Sequence, residues 1–175
     1  GNCQNTPCST LGIGCADTYS SGLNDGQDGG AKSDVDATRG DHPHPYTGPS
    51  SGNSTLRGRL QVAAADLGLA DAIYIAESQY VTAHDQKAGN VRNNASWRRI
   101  NTNTPTNILA VGATMVGDPA IYAWKEFDAS VKVAEVINYD EGGKDVHGYY
   151  FLGWKTSDLG NGNWRYEYAL QNLSS

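Results

Sequence analysis

The sequence predicts a mainly β protein: an antiparallel β-sandwich preceded by a long, loop-rich segment that holds the cysteines. Three observations predict it. The chain has 21 glycines, ten tyrosines and four tryptophans but one methionine, a mixture suited to many turns joining short strands. Past residue 55, β-branched and aromatic residues recur at two-residue intervals, the period of a pleated strand. Near the end, "HGYYFLGWKTSDLGNGNWRYEYALQNL" reads as two aromatic strands around a Gly-Asn turn. A chain of 175 residues suits one domain. We divide it into a β-sandwich over 56–175 and an extended Cys/Asp/Gly segment over 1–55 that packs on it.

The first segment has few periodic apolar positions. "YSSGLNDGQDGGAKSDVDATRGDHPHPYTGPSSGNS" is Gly, Asp, Ser and Pro punctuation, so long loops are expected, with the cysteines as ties. "LRGRLQVAAADL" alternates at Leu56, Leu60 and Val62 as a strand entering the core would, although Gln61–Leu69 also fits a helical count. "DAIYIAESQYVTAHD" places Ile73, Ile75, Tyr80 and Thr82 at strand-like intervals, and a short strand is expected around Trp97–Thr102. After Pro105, "TNILAVGATM" is an apolar run suited to a buried strand. A helix over Asp118–Phe127 would carry Pro119 in its first turn. "ASVKVAEVINYDE" alternates at Val131 and Val133 and slips at Val136-Ile137, as at a bulge. In the last two strands, Tyr150, Leu152 and Trp154 share one face and Trp164, Tyr166 and Tyr168 share another. Facing rows of this kind pair across strands, which favours core packing, with a sugar-stacking platform as the sharper reading.

Thirteen Lys and Arg against nineteen Asp and Glu give a net charge of −6, which argues against a nucleic-acid partner. No run approaches the roughly 18–20 apolar residues of a membrane span. Nothing resembles a signal peptide at Gly1, so a mature or trimmed product, or a fragment of a longer protein, is expected.

Motifs for chemistry are sparse. The sequence lacks a nucleophile elbow, and Glu77, Glu126, Glu135, Glu141 and Glu167 are scattered singly, so the chain reads as non-enzymatic. "DHPHP" sets His42 and His44 two apart in an extended, proline-fixed backbone, without a third ligand at a recognised spacing. Asp25, Asp28, Asp34 and Asp36, with Asn24 and Asp41 nearby, form an oxygen-rich loop. They are weak candidates for a structural calcium, in the absence of an EF-hand pattern. No other cofactor is implied. Sequons at Asn53, Asn94 and Asn172 are glycosylation candidates.

In combination, "LGIGCADTYSSGLNDGQ", "KSDVDATRG", "LRGRLQV", "AESQYVTAHDQKAGNVRNNASWRRI" and "NWRYEYALQNL" resemble a family of large, secreted, functionally uncharacterised bacterial proteins of the kind met in planctomycete-like genomes. The resemblance spans nearly the whole chain and implies an exported, extracellular protein, but no activity. It makes Cys15 look like a fixed framework position. Cys3, Cys8 and Cys15 are then disulfide candidates, Cys8–Cys15 or Cys3–Cys15 being preferred to the very small Cys3–Cys8 loop. An odd cysteine suggests an intermolecular bond, a free thiol or a lost partner. The function expected is a non-enzymatic, secreted structural protein: a cell-surface or filament subunit, glycosylated at its sequons, whose copies self-associate through β-edges. The alternative is a module that binds carbohydrate or another surface polymer.

Overall fold

The computed structural model describes residues 34–42, 62–89, 93–104, 107–139, 142–143 and 146–174. The protein is mainly β, with two antiparallel three-stranded sheets. The first sheet has the order β1 (Tyr74–Gln79), β2 (Ala95–Thr104), β3 (Asn107–Val116). A single turn, α1 (Ala83–Lys87), links β1 to β2, and α2 (Ile121–Phe127) links the sheets. The second sheet has the order β4 (Lys132–Tyr139), β5 (Val146–Gly160), β6 (Asn163–Asn172).

The second sheet follows the expected alternation. β5 has 15 residues and pairs with β4 through its first half and with β6 through its second, from Tyr150↔Asn172 to Gly160↔Asn163. Its far half therefore extends past β4 as a two-stranded ribbon. The ribbon closes on Asn161-Gly162, whose φ values of 55° and 78° suit a two-residue hairpin turn with both central residues left-handed. The Gly160 N–H donates to Asp158 Oδ1 at 2.8 Å beside a register shift between Asp158 and Gly160.

On the inner face of this sheet lie Tyr149 and Phe151, which form the core with Ala95, Ile121 and Leu173. Gly153 continues that row and leaves room for α2. A Cβ there would lie 3.2 Å from both the Ile121 and Trp124 side chains. Tyr122 meets Phe151 edge-on, with ring centroids 5.9 Å apart. From the first sheet, buried Trp97 packs at a tilt against Phe127, and Arg99 lies over the same ring at 5.8 Å.

The short helix α2 has no side-chain cap of its own, because Ala120 occupies the N-cap. Side chains remote in sequence take over. Glu77 Oε2 accepts the Ala120 N–H at 2.6 Å and the Gln171 amide at 2.6 Å, while Gln171 Oε1 accepts the Ile121 N–H at 2.8 Å. One residue from each sheet thus holds the helix start.

The C-terminal residues form a second junction. Leu173 is 1% exposed; its N–H donates to the Tyr149 carbonyl, and its own carbonyl accepts Gln79 Nε2 at 3.1 Å. Ser174 Oγ accepts the Tyr149 N–H at 2.7 Å, and its carbonyl accepts the Ala37 N–H at 2.8 Å. Residues 34–42 dock here, with Ala37 and Thr38 buried. Gly40 has a φ of 75°, and a Cβ at this position would sit 2.4 Å from the Ala83 nitrogen.

Several expectations are corrected. Leu56 and Leu60 of the expected strand lie outside the described residues; the stretch 62–70, which fitted a helical count, holds turns, tied to the first sheet where Tyr74 Oη donates to the Asp66 carbonyl and Thr102 Oγ1 to that of Leu67. The helix starts at Ile121, just after Pro119, and α1 went unforeseen because one turn has no period to detect. The irregularity in β4 falls at Asn138/Tyr139, not at Val136-Ile137. The largest correction concerns β3. It is an edge strand with Ile108, Leu109 and Val111 exposed and Val116 80% exposed, not a buried one.

Candidate functional site

Alternation along β5 and β6 puts one set of side chains on α2 and the other on the outer face. The register pairs Tyr150 with Asn172, Leu152 with Leu170, Trp154 with Tyr168, Thr156 with Tyr166 and Asp158 with Trp164. All five residues of the predicted aromatic face, Tyr150, Trp154, Trp164, Tyr166 and Tyr168, therefore share one side of one sheet. They do not form a core. Trp164 is 54% exposed, Tyr166 59%, Tyr168 66% and Leu170 70%. Tyr150, Leu152 and Trp154 are half-buried, because they belong to the central strand and are flanked on both sides.

Tyr150 leans along its own strand. A Cβ on Gly148, two residues earlier on the same face, would lie 2.7 Å from the Tyr150 ring edge and 2.9 Å from its hydroxyl. Gly148 thus makes room for the ring to lie over the backbone. From β4, the same face receives Lys132, Ala134, Val136 and Asn138. Among these outer positions Lys132 and Asp158 carry opposite charges, and the rest are neutral.

The other predicted sites are less coherent. Cys3, Cys8, Cys15, Asp25, Asp28, His44 and Asn53 lie outside the described residues. Asp36 is engaged in its own turn: it bridges Asp41, its Oδ1 accepts the Arg39 N–H, and its Oδ2 pairs with the Arg39 guanidinium at 3.5 Å. Among the described residues no three His, Cys, Asp or Glu side chains gather in a way that could hold a metal.

The two described sequons lie at strand ends. In Asn94-Ala95-Ser96 the middle residue is completely buried, and Ser96 Oγ accepts the Gly117 N–H at 3.3 Å. In Asn172-Leu173-Ser174, Asn172 Oδ1 accepts the Ser174 N–H at 2.9 Å, and the Ser174 hydroxyl is buried on Tyr149. Asn172 itself is exposed on the aromatic face.

A shallow depression of about 240 Å³ lies between the sheets, lined by Asn93, Gly117, Asp118, Pro119, Glu135 and Phe151 among others. It brings two carboxylates, Asp118 and Glu135, to one place, a grouping that scattered single glutamates did not reveal. Glu77, by contrast, is committed to α2. Behind the ribbon, Asp128 forms an ion pair with Lys155 and accepts both the Ser130 N–H and hydroxyl. Those hydrogen bonds, that of Lys155 foremost, lower the Asp128 pKa to about 2, and the Asp128 carboxylate raises that of Lys155.

Among the described residues no helix is long and apolar enough to cross a membrane. No protein-family model, curated protein or solved structure matches the chain.

Proposed function

We propose that this chain is a non-enzymatic extracellular structural protein whose copies associate through open sheet edges, as a cell-surface or filament subunit does. One observation carries the reading. β3 is an edge strand of ten residues, NILAVGATMV, without a charged residue and with Ile108, Leu109, Val111 and Val116 exposed. Edge strands are ordinarily blunted with lysine, proline or a bulge, since their free N–H and C=O groups recruit further strands. Here the pairing with β2 shifts twice, opposite Arg98, where Gly112 has a φ of 72°, and between Thr102 and Thr104, which leaves Ile108–Val111 as an unbroken apolar run between the two. In a chain of net charge −6, a neutral edge is also where two copies approach with least repulsion.

The same reading takes the two sheets as layers of a sandwich, supported by the core that Ala95 shares with Tyr149, Phe151 and Leu173. Secretion is what the sequence resemblance implies, and sugar on the sequons rests on their Asn-x-Ser/Thr pattern. Negative-stain electron microscopy of purified protein tests the function. Ordered oligomers or filaments are expected, and dispersed monomers at high concentration contradict it.

A further inference from the structure

We propose that the outer face of β5 and β6 is a binding platform for a neutral polysaccharide. The inference goes beyond edge association and uses a different surface. Alternate residues of a strand stand about 6.8 Å apart, so the β6 row from Trp164 through Tyr166 and Tyr168 to Leu170 runs for about 20 Å. Trp154, Leu152 and Tyr150 continue it on β5, opposite Tyr168, Leu170 and Asn172. The result is an elongated strip, open along its length, and not a closed pocket for one small molecule.

Three features select the occupant. First, aromatic faces carry negative charge density and attract polarised C–H groups, which pyranose rings present on their flat sides. Aligned rings offer that contact repeatedly to a linear chain, as stacking platforms do for successive bases. Second, polar groups border the rings. Thr156 lies directly opposite Tyr166 and Asp158 opposite Trp164, which puts hydrogen-bonding groups where sugar hydroxyls would emerge. Third, charge excludes the competing polymers. The strip holds Lys132 and Asp158, which cancel, on a protein of net charge −6. Nucleic acids and uronate-rich glycans would meet repulsion without a compensating basic patch.

The Tyr150 ring lies close over the backbone of Gly148 on this face. A ring that leans over Gly148 keeps the sheet low at its β4 side, where Ala134 is also small. Any larger residue at 148 would push the ring upright.

The test is isothermal titration of the purified chain with neutral hexasaccharides of glucose, xylose, mannose and N-acetylglucosamine, with oligogalacturonate as the acidic control. Binding of at least one neutral glycan is expected, with none of the acidic one. Trp164→Ala and Tyr166→Ala, both at exposed positions and expected to keep the parent's circular dichroism spectrum, should each weaken it about tenfold. Arg165→Ala, exposed on the opposite side of the ribbon, and Leu109→Lys, on the β3 edge, should leave it unchanged. Absence of binding to every neutral glycan at millimolar concentration overturns the proposal, as does binding that survives both aromatic substitutions. Dissociation of an oligomer by Trp164→Ala and Tyr166→Ala, without glycan binding, overturns it in favour of a protein interface. Edge association could fail with this proposal intact, because Leu109→Lys separates the two.

Discussion

The two faces of the second sheet come from the same strands and differ in what covers them. Inward, Tyr149, Phe151 and Gly153 meet α2 and the C-terminal Leu173, and Phe151 is 3% exposed. Outward, the neighbouring residues of those strands are equally apolar and aromatic, yet Trp164, Tyr166, Tyr168 and Leu170 remain uncovered. Hydrophobicity alone therefore does not define the core. A residue joins it when a second element, here a helix positioned by Glu77 and Gln171, reaches its side of the sheet. The difference teaches that composition gives the strands and topology decides which aromatics stabilise the fold and which stay exposed.

That contrast breaks most sharply at the covered face. Phe151→Ala should cost about 3–5 kcal/mol and Leu173→Ala about 2–5 kcal/mol in urea unfolding, whereas Tyr166→Ala should fall within about 0.5 kcal/mol of the parent. Equal losses on the two faces would mean that something hidden covers the outer one. Gly153→Val comes next, at about 1–3 kcal/mol, because its side chain would collide with Ile121 and Trp124. The same thermal or urea measurement checks it. Ser174→Ala should cost about 1–3 kcal/mol by leaving the buried Tyr149 N–H without its acceptor, and hydrogen exchange at Tyr149 should quicken.

The smallest effect is electrostatic and pH-dependent. Because the Asp128 pKa is lowered in the folded state, its ion pair with Lys155 adds stability above the ordinary aspartate value of 3.8. That stability is lost as pH falls toward about 2. Asp128→Asn should therefore unfold more easily than the parent at neutral pH, with the gap closing between pH 4 and 2. A gap that persists at pH 2 would mean the ion pair is not its source.

Much of the second sheet was legible. Asn161-Gly162 between alternating aromatic runs specifies the hairpin and its register, and Pro119 marks where α2 begins. The aromatic rows were also legible as rows, but not as exposed, since period-two alternation identifies two faces without saying which is covered. For the same reason the run "NILAVGATM" looked buried: a continuous apolar run fits an interior strand and an apolar edge alike. The α2 cap was illegible because Glu77 and Gln171 are 94 residues apart, and the docking of Ala37 on Ser174 depends on an equally remote encounter. The carboxylates Asp118 and Glu135 meet only through the placement of β4 beside the α2 entry.

The central claim is that apolar β surface left uncovered in one copy serves association with another through β3. Sedimentation velocity over a rising concentration series, with parent and Leu109→Lys side by side, tests it most directly. A charge placed in the middle of an edge blocks the approach of a second strand without disturbing the inner face. The account predicts that the parent shifts to larger species with concentration while Leu109→Lys stays monomeric and equally stable to urea. A parent that remains monomeric throughout, or a variant that assembles as the parent does, would contradict it.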